Sequence, residues 1–272
     1  MKRVISVLIC LILCGALFAG CGNAESGAGL ERIKAKGTLI LATESTYPPF
    51  QYLIVEDGKT INAGLDVDLM RAFAESIGVE LVVHEMAFDS IIPAVQAGTA
   101  DMGGSFTPTP DRAEAVDFSA IYYYSNHNVI VRKGESDQYP TIESFQGKRL
   151  GAQKGTVQEQ MIQEMEGVDL LGLPKVTSLI QELINGNIDG ILADFSVADT
   201  YVAAYPDSVE KAAQIEIPDE SGGVAMCINK GQEDLLAELD KFINDSMASG
   251  EIDEMYDRNL NAAIDQILEA ME

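Results

Sequence analysis

The 272-residue sequence predicts an α/β protein of two lobes, each a mostly parallel sheet flanked by helices. Three observations lead there. Strand-like and helix-like stretches alternate from Thr38 onward, the pattern of parallel strands joined by crossover helices. The segment SIIPAVQAGTADM (90–102) is echoed by SLIQELINGNIDG (178–190) at a constant offset of 88, as two lobes of similar build would give. A first passage between lobes falls near YYYSNHNVIVRKG (122–134), and a second near EIPDESGGVAMCINKG (216–231). Two passages make a hinge about which rigid lobes can turn.

The elements follow in chain order. Met1-Lys2-Arg3, an uncharged apolar run (4–20) and small residues before Cys21 have the pattern of a signal peptide, residues 1–20. The stretch LFAGC resembles a bacterial lipobox, in which Cys21 is lipidated; an uncleaved membrane anchor is the other reading. Either places the protein outside the cytoplasm on a membrane. Residues 21–37 read as the lipidated cysteine and a flexible tether, with the fold starting near Leu30 or Thr38.

TLILATE (38–44) is a buried strand, and STYPPF forces a turn. GLDVDLMRAFAESIG (64–78) is a helix with Asp66 as N-cap, Leu69, Phe73 and Ile77 on one face, and Gly78 as its stop. VELVVHEM (79–86) is the next strand. Each copy of the echo then reads as a short amphipathic helix, a glycine stop (Gly98, Gly186) and entry into a strand. A helix–glycine–strand unit is also common without any repeat. Ser105 and Asp194 fall just beyond the carboxyl ends of those strands, where open α/β sheets bind ligands. Helices over about 232–270 return to the first lobe, giving lobe 1 as 38–127 with 223–272 and lobe 2 as 128–222.

Composition narrows the function. With 43 acidic against 18 basic residues the formal charge is −25, which argues against nucleic acid and anionic lipid as partners and favours a cationic small molecule. No CxxC, histidine cluster or metal-ligand spacing is present, so neither metal nor cofactor is expected. Cys10 and Cys14 leave with the leader and a lipidated Cys21 cannot pair; Cys227, in a strand-like run, reads as a small buried hydrophobe. His84 and His127 sit in no catalytic spacing.

The chemistry centres on GGSFTPTPDR (103–112). Arg112 is either a solvated helix residue beside Asp111 and Glu114, or a planar fork for a carboxylate, with Ser105 and Thr107 adding neutral hydrogen bonds. In KGTVQE (154–159), Thr156 is an N-cap with Glu159 closing a capping box; the same helix N-terminus suits a carboxylate. Asp194 either caps the helix after it or accepts bonds from an ammonium group. Glu44, Tyr47 and Phe88 are either a solvated loop carboxylate and two core rings, or a carboxylate and two ring faces around a flat cation such as a guanidinium.

Taken with AFDSIIPAVQAGTADM, GKRLGAQKGTVQE, GNIDGILAD and GVAMCINKG, these stretches make residues 38–260 resemble the polar-amino-acid-binding lipoproteins of bacterial ABC importers. The resemblance implies a type II periplasmic-binding-protein-like fold and a monomeric receptor delivering an amino acid to ABC permease subunits. It implies Arg112, Thr107 and the Thr156 amide for the α-carboxylate, and Asp194 with Ser105 for the α-ammonium. Tyr47 and Phe88 would flank the side chain, and Glu44 would read its far end. ATESTYPPF with AFDSIIPA looks most like the arginine-binding branch, with lysine, ornithine, histidine and glutamine as alternatives. The family also resembles cyclohexadienyl dehydratases, the enzymatic alternative. Residues 261–272 extend beyond the common end.

Overall fold

A computed structural model describes residues 29–124, 126–219 and 222–269. The leader and Cys21 lie outside these residues.

The fold begins at the earlier of the two starts expected. Residues 29–36 of the stretch assigned to a tether form helix α1 (Gly29–Lys36). Leu30 and Ile33 are buried, and the amides of Gly29 and Leu30 donate to the Asp234 carboxylate at 3.0 and 2.9 Å. Strand β1 (Thr38–Thr43) follows, and then a three-stranded antiparallel meander where the sequence suggested only a turn: β2 (Thr46–Tyr47), β3 (Gln51–Glu56) and β4 (Lys59–Ala63). Asp57-Gly58 turns β3 into β4, the dipeptide signal of a tight hairpin.

Helix α2 (Leu65–Ser76) has Gly64 at its N-cap, so Asp66 lies inside the first turn and is not the cap. Phe73 on this helix is fully buried, worth roughly 1.5–3 kcal/mol. Next come β5 (Glu80–Glu85), α3 (Phe88–Gln96), β6 (Met102–Phe106), α4 (Pro110–Ala115) and β7 (Val116–Phe118). The remaining elements are β8 (His127–Arg132), β9 (Arg149–Gln153), α5 (Val157–Glu164), β10 (Asp169–Leu173), α6 (Val176–Ile184), β11 (Gly190–Asp194), α7 (Phe195–Ala204), β12 (Val209–Ile217), β13 (Ala225–Asn229), α8 (Glu233–Ser249) and α9 (Glu251–Glu269).

Two five-stranded sheets carry the lobes, in the orders β5-β1-β6-β13-β7 and β10-β9-β11-β8-β12. Their plans match. In the first, β1 runs parallel to β5 and β6, and β13 antiparallel to β6 and β7. In the second, β9 runs parallel to β10 and β11, and β8 antiparallel to β11 and β12. In each sheet the reversed fourth strand is the one that arrives from the other lobe. The two passages pair with each other: the Val224 amide donates to the Tyr123 carbonyl at 2.9 Å and the Tyr122 amide to the Val224 carbonyl at 3.1 Å. Only glycine fits beside this pair, because a Cβ on Gly223 (φ 143°) would lie 2.2 Å from the Tyr123 carbonyl oxygen.

The final helices do not return to the first lobe alone. Gly250, in the left-handed region at φ 82°, separates α8 from α9, and α9 packs on α2 and α8 and also on α7 of the second lobe. Cys227 is fully buried in β13, as the sequence suggested, and its thiol is free. Among the described residues no helix is long and apolar enough to cross a membrane.

Candidate ligand-binding cleft

The cleft begins at the carboxyl end of β6. Gly104 is small because a Cβ there would lie 2.4 Å from Asp66 Oδ2 and 2.9 Å from Met226 Sδ. That close approach lets Asp66, wholly buried, bind its neighbours. Its carboxylate accepts from the Ser105 amide (3.1 Å) and hydroxyl (2.7 Å), from the Tyr122 hydroxyl (2.7 Å) and from Gln51 Nε2 (2.5 Å). Burial raises the Asp66 pKa, and the Tyr122, Gln51 and Ser105 bonds counter it. Gln51 Oε1 in turn accepts from the Glu44 amide at 3.0 Å, so one network runs from Ser105 to the start of the Glu44 turn.

Arg112 is aimed by the short helix α4. The Thr109 hydroxyl caps that helix, accepting from the Arg112 amide at 3.3 Å, and Pro110 sets the first helical φ. The guanidinium folds back over the rings of Phe106 and Phe88, 5.2 and 5.7 Å from their centroids. Nη1 donates to the Thr107 carbonyl at 2.8 Å, and Nη2 crosses to the second lobe, donating to the Gly155 carbonyl at 2.7 Å. Asp111 and Glu114 are exposed, and no ion pair to Arg112 is seen among the described residues. Burial lowers the Arg112 pKa, though a guanidinium stays charged in proteins.

The facing wall is the β9–α5 turn. Thr156 caps α5 as expected, its hydroxyl accepting from the Glu159 amide at 3.2 Å and donating to the Gln153 carbonyl at 2.7 Å. The expected capping box is displaced by one residue, since Glu159 Oε2 takes the amide of Gly155 (2.8 Å), not of Thr156. Gln153 Nε2 donates to the Pro174 carbonyl at 3.0 Å, while its buried Oε1 has no hydrogen-bond partner.

Six of the candidate residues, Tyr47, Phe88, Ser105, Thr107, Arg112 and Thr156, line one cavity between the lobes, together with Gln153, Val157, Gln158 and Val224. Glu44 and Asp194 are not on its lining, and both are buried. Ser105 and Asp194 lie within the last residues of their strands, not beyond them. Asp194 caps α7, Oδ1 accepting from the Ser196 amide at 2.9 Å. The Glu44 carboxylate accepts from the Thr46 hydroxyl at Oε2 (3.0 Å), and its Oε1 has no partner at hydrogen-bonding distance. Burial pushes the Glu44 pKa up to about 7, against the weaker pull of its polar neighbours Thr46, Ser45 and Gln153. Burial also holds the Tyr47 phenol neutral, helped by the charges of Asp194, Glu44, Asp219 and Asp66. Four carboxyl groups therefore act on the Tyr47 phenol, and the Arg112 guanidinium shares the cavity lining with it. The cavity has only about 20 Å³ of free space, room for about one water. Anything larger enters only when the lobes part or Arg112 leaves the Gly155 carbonyl.

Sequence reasoning missed the buried role of Asp66, its partners Gln51 and Tyr122, and the wall residues Gln153 and Gln158. The paired glycines before Ser105 were the available signal, since they mark a close approach. Gln153 carried none, because only the fold brings the end of β9 to Glu44.

The profile of the bacterial extracellular solute-binding proteins, family 3, matches residues 39–262. The chain is 30% identical over 262 residues to the arginine-binding extracellular protein ArtP of Bacillus subtilis (strain 168), covering 94% of this chain and 96% of that protein. It is 30% identical over 221 residues to the L-cystine-binding protein TcyJ of Escherichia coli (strain K12), covering 80% and 79%. Among solved structures, the amino acid ABC transporter substrate-binding protein AbpA of Streptococcus pneumoniae, bound to L-arginine, superposes with a TM-score of 0.82 at 33% identity, covering 86% of this chain and 99% of that one. The fold is the type II two-lobed one that the sequence led us to expect.

Proposed function

The chain belongs to the bacterial extracellular solute-binding proteins, family 3, and from that premise we propose that it captures a free L-amino acid between its lobes and delivers it to an ABC permease. The observation that carries this is Arg112. Its guanidinium sits at the lobe junction on two neutral carbonyls, one from each lobe, with no carboxylate of its own among the described residues. A ligand carboxylate is the stronger acceptor for that fork. In this reading it displaces the Gly155 carbonyl and also meets the Thr156 amide at the start of α5. Ser105 and Asp194 take the α-ammonium. Tyr47 and Phe88 flank the side chain. The bound molecule then contacts both lobes, the condition for a ligand to favour closure.

The side chain is read as cationic, arginine ahead of lysine, ornithine and histidine. Glu44 and Gln153 each bury an acceptor oxygen without a donor, and a guanidinium offers five donors and no acceptor. The excess of carboxyl groups around Tyr47 supports the same class, as do the arginine-binding relatives. Glutamine is the runner-up, since its amide also donates to a carboxylate. Glu44 and Asp194, the candidate acid–base groups, each have a binding role in this reading, so the protein is proposed as a receptor and not an enzyme. In the full proposal it is a monomer, lipidated at Cys21 and anchored on the outer side of the cell membrane. Its hinged lobes are residues 38–127 with 223–272, and 128–222.

A thermal-shift screen of the twenty amino acids, ornithine and citrulline tests the reading. Large shifts for arginine or lysine are expected; a response to glutamine alone would overturn the role given to Glu44.

A further inference from the structure

Helix α6 opens without a cap of its own. Lys175 holds the N-cap position and makes no side-chain cap bond, yet the first turn of any helix presents free amides that need acceptors. The acceptor comes from the other lobe: the Val176 amide donates to the Thr46 hydroxyl at 3.1 Å, in a buried position. The same hydroxyl spends its proton on Glu44 Oε2 at 3.0 Å, which turns a lone pair toward Val176. The Thr46 carbonyl accepts the Tyr201 hydroxyl of α7 at 3.0 Å. Thr46 therefore joins the first lobe to two helices of the second through buried bonds to Val176 and Tyr201, and a third holds Glu44. Parting the lobes would strip α6 of its cap and the Tyr201 phenol of its partner.

We propose that Thr46 is a positioning residue that clasps the closed lobes, capping α6 in trans while holding the Glu44 carboxylate in place for the ligand. It touches no ligand itself; its contribution is to the closed state, so it acts on how long a ligand stays. The ligand part of this rests on the amino-acid reading above, and the clasp part does not.

The test compares Thr46→Val, which keeps the shape and loses the hydroxyl, with Thr46→Ser, which keeps the hydroxyl. Amide hydrogen exchange over residues 174–184 is followed first without ligand. Faster exchange at the start of α6 in the valine variant, restored in the serine variant, is expected. Binding of L-arginine is then measured kinetically. The valine variant should lose about tenfold in affinity, almost all through faster dissociation, and the serine variant should stay within about twofold of the parent. Unchanged exchange and unchanged dissociation in the valine variant would overturn the clasp. If the parent protein binds no cationic amino acid, the ligand reading fails by itself, and the exchange comparison still decides the clasp. Tyr201→Phe is the second variant: a smaller increase in dissociation rate is expected, and none at all would remove Tyr201 from the clasp.

Discussion

Two units of this molecule share one backbone and end in different chemistry. Helix α3 with strand β6, and helix α6 with strand β11, are equal in length and lie 88 residues apart. Their glycine stops, Gly98 and Gly186, have φ of 70° and 77°. Even the aspartates before the strands act alike, since Asp101 Oδ2 accepts from the Ile40 amide at 2.8 Å and Asp189 Oδ2 from the Arg149 amide at 2.9 Å. At the carboxyl ends the likeness stops. Strand β6 delivers Ser105 into the buried Asp66 network and then, through Thr109, aims a cation across the cleft. Strand β11 delivers Asp194, which caps a helix. A repeated scaffold thus carries unlike polar groups at its two rims, and one rim offers what a carboxylate needs.

The comparison can be broken at its rims first. Arg112→Ala should weaken the best amino acid by about 2–5 kcal/mol, roughly 30- to several-thousand-fold by calorimetry, because it strands the ligand carboxylate. Equal affinity in that variant would remove Arg112 from the site. Asp66→Ala leaves four donors without their acceptor and should cost about 3 kcal/mol in denaturant unfolding. Asp194→Ala removes at least the Ser196 cap bond and should cost about 1 kcal/mol or more of the same quantity; no loss at all would show that the cap adds nothing.

The shared aspartates sharpen it. Asp101 is nearly inaccessible and also pairs with Lys36 and Arg32 at 2.7 and 2.9 Å, whereas Asp189 is more open, with Arg132 at 3.6 Å. Asp101→Ala should cost about 2 kcal/mol and Asp189→Ala about 1 kcal/mol, read from denaturant midpoints. A further effect is linked to pH. Glu44 titrates near 7 in the free protein, and a bound cation lowers that value. Affinity for arginine should therefore rise with pH below about 7, by at most about 1.4 kcal/mol per unit, and level off above it. Calorimetry in buffers of different ionisation enthalpy should show proton release on binding, lost in Glu44→Gln. A flat pH profile would mean that Glu44 does not meet the cation.

Most of the scaffold was legible in the sequence because it rests on local signals. Apolar spacing, glycine stops and the 88-residue echo each act within a few turns of chain, and they placed β1, α2, β5 and both echo units to within a few residues. The β3–β4 hairpin was missed although Asp57-Gly58 announced it. What failed otherwise was long-range. Asp66 looked like a cap because Asp opens many helices, and only the approach of Gly104 and Tyr122 turns it inward. Helix α9 was assigned to one lobe, but its contact with α7 depends on how the lobes meet. Six of the candidate residues were legible as cavity lining because they lie at strand ends and helix starts, which sequence marks well. Thr46 was not, since Val176 and Tyr201 come from the opposite lobe, and Gln153 was not, since no local pattern marks it.

Whether both lobes grip one zwitterion is decided by a crystal structure with the amino acid that gives the largest thermal shift. The ligand carboxylate is expected on the Arg112 fork and the Thr156 amide, the ammonium near Asp194, and the side chain running between Tyr47 and Phe88 toward Glu44. A ligand held by one lobe alone, or one lying elsewhere with Arg112 still on the Gly155 carbonyl, would contradict it.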